Sequence, residues 1–390
     1  MTAARVYLDY AASTPVDERV LERMLPYFGG SFGNPSSIHR FGQEGEAALD
    51  EARRIVAEVM VCRPGEIVFT SGGTESDNLA LRGAALAAKS ARGASHILTT
   101  PVEHPAVLNA CRYLERHHGF QVEWLSVDSD GRADPDDVAR RLCDETAVVS
   151  VIYGNNEIGT INPVASIADR CRARGVVFHT DAVQAASQLS VRVDELGADL
   201  ISIGAHKFYG PKGVGALYCR AGIDLDPLQP GGEQEAGRRA GTENVPLIVG
   251  LAAAFEITAA ERPRHARRFA ALRDRILDGV VDLVPGAGVT GHRHDRLPNH
   301  ASFVFSGVDA NRLLAALDLA GYACSSGSAC KTGDPSPSSA LLALGLTSDL
   351  ALGSLRVTVG RRTTDEDIDG FLATLPALVE AQRRTAVSAR

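Results

Sequence analysis

An α/β fold, in which a mostly parallel sheet of seven strands is joined to a smaller α+β domain, is what the sequence predicts, on three observations. The chain has 390 residues, more than one hydrophobic core usually supports, so two domains are expected. Between residues 66 and 220, seven short apolar runs alternate with segments of helix length. Beyond Pro246 the pattern changes to one long helical stretch, then strand-like runs, then a closing helix.

The seven runs, in order, are EIVFTS (66–71), SHILTT (95–100), VEWLSV (122–127), AVVSVIY (147–153), VVFHTD (176–181), DLISIG (199–204) and VGALYC (214–219). Runs of this length that are apolar on both faces indicate strands covered by helices on both sides, the situation of a parallel sheet. In such sheets ligands bind beyond the carboxyl ends of the strands. The segment LIVGLAAAFEITAAERPRHARRFAALRDRILDGVVDLV (247–284) reads as helix, and strands are expected at 300–305 and 355–359. The domain boundary is placed near residue 255, giving a larger domain at 16–255 and a smaller one built from 1–15 and 256–390.

Composition removes several function classes. Hydrophobic residues make up 45% and charged residues 23%, with no biased tract or internal repeat, so the chain is expected to fold throughout. A formal net charge of -8 and a pI near 5.8 argue against direct nucleic-acid binding. The N-terminus MTAARVYLDYAASTP has no signal-peptide core and no segment is apolar enough to span a membrane, so a cytoplasmic location is expected. Seven scattered cysteines do not make a disulfide framework. The one close pair, Cys324 and Cys330, lacks the spacing of a zinc knuckle, so no metal site built from cysteines alone is expected.

Three stretches carry chemistry. The run EIVFTS stops in Ser71-Gly72-Gly73-Thr74 before a helical pattern opens, which suits a phosphate held by backbone N–H groups at a helix start. Alone, it reads almost as well as an ordinary turn capped by Thr74. In VVFHTDAVQ a strand ends at Asp181, with Gln184 three residues on; a carboxylate deep in a cleft keeps a pyridine nitrogen protonated, whereas in isolation an Asx turn is the plainer reading. In DLISIGAHKFYGPKG a strand ends at Gly204 and His206-Lys207 follow, where a lysine shielded from water can form a Schiff base with an aldehyde. Together, a phosphate turn, an Asp at a strand end and a Lys at the next strand end form a specific signal for pyridoxal phosphate.

This order resembles the fold type I pyridoxal-phosphate enzymes, and within them the sequence is similar to the cysteine desulfurases of the iron-sulfur assembly type. Ten segments carry the similarity along almost the whole chain: LDYAASTP (8–15), GNPSSIH (33–39), FTSGGTES (69–76), EHPAVL (103–108), NNEIGT (155–160), DAVQ (181–184), HKFYGPKGVGALY (206–218), AGTENV (240–245), SSGSAC (325–330) and LRVTVGR (355–361).

The resemblance implies that Lys207 holds the cofactor and moves protons, that His104 stacks on the pyridine ring and that Asp181 pairs with its nitrogen. It implies that Asn156 and Gln184 bond the ring hydroxyl, and that Gly73, Thr74 and His206 hold the phosphate. Thr242 would reach that phosphate from a neighbouring subunit, so a homodimer is implied. Gly204 stands where similar sequences often carry a serine; backbone N–H groups at Gly204 and Ala205, or a water, are expected to replace the missing donor. Arg356 would bind the substrate carboxylate, and Asn34 would also touch the substrate or cofactor. Cys330, in a Ser-, Gly- and Pro-rich segment that reads as a loop able to swing, would be the sulfur carrier and a candidate transient iron-sulfur ligand, whereas Cys324 reads as a packing residue.

The implied activity converts L-cysteine to L-alanine and leaves a persulfide on Cys330. Its sulfur would pass to an iron-sulfur scaffold or another acceptor, as in tRNA thiolation. A selenocysteine lyase and a non-catalytic assembly scaffold are the alternatives; a scaffold would need none of Lys207, Asp181, His104 and Cys330. The C-terminal LVEAQRRTAVSAR lacks the ending by which related proteins dock a cluster scaffold.

Overall fold

The structure, a computed structural model, describes residues 5–327 and 336–388. Its centre is a seven-stranded sheet whose order, from one edge, is Ile67–Thr70, Gly215–Cys219, Leu200–Gly204, Val177–Asp181, Thr146–Ser150, His96–Thr99 and Gln121–Trp124. Each predicted run supplies one strand. Only Gly215–Cys219 runs against the rest, pairing antiparallel on both sides. The other six therefore end on one side of the sheet, and that side receives the functional residues. The register sets Asp181 beside Ser202 on the neighbouring strand.

Helices cover both faces because the strands are apolar on both. The helix Arg40–Met60 buries Leu49, Ala52, Val56 and Met60, a stripe at three- and four-residue spacing. Its first turn is capped by His39, whose Nδ1 accepts from the Gly42 N–H at 3.2 Å. With the sheet it forms one apolar cluster that includes Phe69, Phe178, Phe208 and Phe255.

The predicted long helix is Val245–Leu283, with Pro246 in its first turn, where a missing N–H costs nothing. Leu251 and Phe255 pack in the sheet cluster, whereas Phe269, Ile276 and Val280 pack in a second cluster with Phe303, Leu355 and Phe371. That second core lies on a three-stranded antiparallel sheet, Ser354–Thr358, His300–Phe305 and Ala287–Val289, and on the helix Asp365–Ser388. Ala287–Val289 was not foreseen.

Neither was the path of the N-terminal segment. Val6–Tyr7 pairs in parallel with Tyr322–Ala323, and the Thr358 N–H donates to the Leu8 carbonyl at 2.8 Å. Residues 6–14 are thereby drawn across the molecule to the carboxyl end of the central sheet. There the Ala11 N–H donates to Thr358 Oγ1, and the Thr14 N–H to the His206 carbonyl. Among the described residues no helix is long and apolar enough to cross a membrane.

Candidate active site

Beyond the strand ends lies a cavity of about 250 Å³, and most of the predicted site residues line it. Its floor is Asp181, the last residue of its strand and 4% exposed. Asp181 Oδ1 accepts from the Val183 N–H at 2.9 Å, so the Asx turn of the plainer reading is present alongside the cavity-facing role. Burial raises the Asp181 carboxyl above its ordinary range, and His104 and Lys207 pull it back.

His104 is the N-cap of the helix Pro105–His118, where its Nδ1 accepts from the Ala106 N–H at 3.1 Å. That bond orients the ring, and burial lowers its pKa, so the imidazole is biased toward its neutral form. Lys207 closes the turn Ala205–Lys207 that follows Leu200–Gly204. Its Nζ donates to the carbonyls of Ala11 and Ala12 at 2.6 and 2.9 Å. The motif LDYAASTP therefore acts through main-chain oxygens, which no side-chain pattern announces.

Gly73 and Thr74 lie at the mouth. A Cβ on Gly73 would meet Val183 Cγ2 at 2.6 Å, so glycine is required for this close approach. Gly72, not Thr74, occupies the cap position of Gly73–Asn78, and the N–H of Ser71 donates to Glu75 Oε2 at 2.7 Å. His206 also lines the cavity; burial and the neighbouring Lys207 lower its pKa to about 4. Gln184 donates through Nε2 to the Ala11 carbonyl at 2.6 Å.

The opposite wall is Arg356, Asn156, Glu157 and Gly327. Arg356 is 3% exposed; its guanidinium donates to Asp9 Oδ1 and to the Asn156 carbonyl, both at 2.9 Å, and its Nε has no partner among the described residues. Glu157 accepts from the Ser338 hydroxyl at 2.5 Å, and loss of solvent raises its carboxyl to about 7.

Four predicted residues do not line this cavity. Gly204 and Ala205 sit behind it, and the Ala205 N–H is committed to the Val214 carbonyl at 3.2 Å, so it is not the expected replacement donor. A Cβ on Gly204 would lie 3.3 Å from the Gly73 N, which places any side chain there against the glycine turn. Asn34 is exposed, its Oδ1 accepting from the Ser36 N–H, and Thr242 is exposed as well. Cys330 lies outside the described residues. Cys324 packs against the second core, and burial pushes its thiol up.

Sequence reasoning missed Asp77, which is 1% exposed and lines the cavity beside Asp181. It also missed Glu157, although NNEIGT contains it, and Asp9, the partner of Arg356. A buried carboxylate at the floor, a primary amine and an imidazole at the sides and a glycine turn at the mouth fit the ring nitrogen, aldehyde, ring face and phosphate of pyridoxal phosphate. Asp77 Oδ1, buried without a hydrogen-bond partner among the described residues, shows that the floor is built for polar contact.

The family described as Aminotransferase class-V matches residues 6–371. The chain is 46% identical to a protein named cysteine desulfurase IscS from Dictyoglomus turgidum, over 97% of this chain and 95% of that one. It is 44% identical to a protein named cysteine desulfurase IscS 1 from Archaeoglobus fulgidus, over 97% of each chain. Among solved structures, a NifS-like protein superposes with a TM-score of 0.90 at 36% identity, covering 97% of this chain and all of that one. The structure of SspA in complex with cysteine superposes with a TM-score of 0.80 at 34% identity, over 90% of this chain and 98% of that one.

Proposed function

The chain belongs to the class-V aminotransferase family, with relatives named cysteine desulfurases over nearly its full length, and from that premise we propose that it is a cysteine desulfurase whose sulfur carrier is Cys330. The observation that carries this reading is the convergence of Lys207, Asp181, His104 and Arg356 on one cavity. Pyridoxal phosphate is the cofactor; when bound it withdraws electrons from the substrate carbon.

The roles of the residues follow from their surroundings. Arg356 offers a buried fork for the substrate carboxylate, with Asp9 and the Asn156 carbonyl holding it in place. Lys207 Nζ, held by the Ala11 and Ala12 carbonyls, is the group that takes and returns protons at the substrate carbon. His104 flanks the ring, and Asp181 holds the ring nitrogen. Gly73, Thr74 and His206 hold the phosphate, and Asn156 and Gln184 the ring hydroxyl. The Cys330 thiolate then forms an S–S bond to the substrate sulfur as the C–S bond breaks, and a proton delivered to that carbon leaves alanine. Gly327 lines the cavity, and Cys330 follows it three positions on in the sequence.

The exposed position of Thr242, away from its own cavity, suits a residue that serves a second subunit, and Asn34 is read in the same way; a homodimer is part of the proposal. So are a cytoplasmic location, division at about residue 255 into 16–255 and 1–15 with 256–390, and an iron-sulfur scaffold or tRNA-thiolation protein as sulfur acceptor. The direct test is treatment with L-cysteine followed by amino-acid analysis and mass spectrometry. Alanine and one added sulfur on the peptide containing Cys330 are expected; alanine without added sulfur on that peptide refutes the carrier assignment.

A pH effect follows from Glu157. Its carboxyl is raised, so it is neutral below about 7 and becomes charged as pH rises through that value, next to the arginine that must receive the substrate carboxylate. The KM for cysteine is expected to rise about three- to tenfold between pH 6 and pH 8, as like charge accumulates beside Arg356. Glu157→Gln should flatten that rise, as steady-state kinetics at several pH values will show.

A further inference from the structure

At the floor of the cavity lies a second carboxyl that the roles above do not use. Ligand atoms of Asp77, His104 and Asp181 all lie within 4.8 Å of one another. Asp77 projects from Gly73–Asn78, one turn after the glycines, and Asp181 from the end of its strand. The strand residue two before Asp181, His179, is fully buried on the same face. Its Nδ1 is 2.9 Å from Ser150 Oγ and its Nε2 is 3.0 Å from Ser202 Oγ. Asp77 Oδ1 stands 3.6 Å from that Nε2, beyond hydrogen-bond distance, and the Ser202 hydroxyl bonds the Asp77 carboxyl.

We propose that Asp77 is a positioning residue that stays protonated, so that the Asp77/Asp181 pair carries a single negative charge and presents it from Asp181 toward the cofactor. Two desolvated carboxylates this close cannot both be ionised cheaply, and one proton shared between them removes the repulsion. The neighbours decide which one keeps it. Asp181 faces His104 at its helix start, which favours the ionised form only to the extent that it is protonated, and Lys207 on the turn after the next strand, whose charge favours it throughout. Asp77 faces Asp181 and Glu103, both acidic; His104 shares the cluster but is biased toward its neutral form, and His179 is no counter-charge, because burial lowers its pKa to about 3 and leaves it neutral. Burial, and then the Asp181 charge, push Asp77 well up. Glu103 is itself raised to about 8 by burial, with its Oε1 accepting from the Thr100 hydroxyl and the Ile152 N–H. The floor is thus a set of neutral groups around one charge.

This rests on the reading of Asp181 as the partner of the ring nitrogen, and the experiment separates the two. The first arm compares apoprotein stability of the parent and Asp77→Asn from pH 5 to pH 8. The sign follows from the raised carboxyl: its stabilising contribution is complete below the unfolded value near 4 and is lost as pH rises toward the folded one. The amide does not titrate, so the folding equilibrium constant of Asp77→Asn should gain on the parent by up to about tenfold per pH unit. A constant ratio across that range means that Asp77 is ionised and overturns the proposal.

The second arm reconstitutes parent, Asp77→Asn and Asp181→Asn with pyridoxal phosphate and measures the cofactor dissociation constant and the pH profile of its absorbance. Asp77→Asn, a neutral mimic, should keep both within about threefold, whereas Asp181→Asn should shift the profile. A shift in Asp77→Asn as large as that in Asp181→Asn overturns the proposal. No shift in Asp181→Asn refutes its role at the ring nitrogen, with the stability arm still deciding the state of Asp77.

Discussion

Lys207→Ala is expected to lose the yellow absorbance of the protein-bound cofactor and at least about 10⁴-fold in kcat. On the proposed assignment two functions vanish with one amine: covalent retention of the cofactor and proton movement at the substrate carbon, the latter alone worth roughly 10²- to 10⁴-fold. Among the described residues no second lysine lines the cavity, and the Ala11 and Ala12 carbonyls that hold Nζ can accept protons in hydrogen bonds but cannot supply one. His104, half-buried and with its Nδ1 occupied by the Ala106 N–H, is poorly set to substitute. Absorbance spectra and alanine production from L-cysteine are the measurements. Alanine formed at a rate near the parent's would remove Lys207 from the mechanism.

Cys330→Ser should separate the steps. Its effect on turnover is expected to be about as large, whereas cofactor loading and the spectral response to added cysteine should persist, since Lys207, His104 and Asp181 are untouched. A serine hydroxyl is scarcely ionised at neutral pH and attacks sulfur poorly, whereas an unperturbed thiol with pKa near 8.5 supplies some thiolate. Cys324→Ser is the control. That thiol packs against the second core and is pushed further from ionisation, so its loss should leave turnover nearly intact. Parental alanine production by Cys330→Ser would overturn the assignment, as would added sulfur found on Cys324.

Much of this was legible in the residues. All seven strands of the central sheet overlap the predicted runs, five lying wholly within them, because burial on both faces leaves an apolar signature that needs no partner to be read. Asp181 and Lys207 were legible as strand-end residues, since strand ends in one parallel sheet face one side, whereas His104 was named only through the family resemblance. What escaped has physical reasons. Val6–Tyr7 and Tyr322–Ala323 are two residues each, too short for any periodicity. Asp77 sits in TESDN, whose polar run looks like a solvated helix face until the helix is laid against the sheet. Ala11 and Ala12 act through carbonyls that every residue owns. Asn34 and Thr242, which the family resemblance did name, are exposed and away from the cavity.

The order in which the chain is made gives the N-terminal segment a further meaning. Leu8 and Thr358, joined by hydrogen bonds, are 350 residues apart. At typical synthesis rates of about 5–20 residues per second, Leu8 waits roughly 20–70 s on the ribosome's outer side before its partner is polymerised. The carbonyls that hold Lys207 and the carboxylate that holds Arg356 belong to this first-made segment, yet they can be seated only when the last strand is complete. The pocket is therefore completed only once Thr358 has been polymerised, and a nascent chain arrested before Thr358 should already contain the central sheet while lacking a finished pocket.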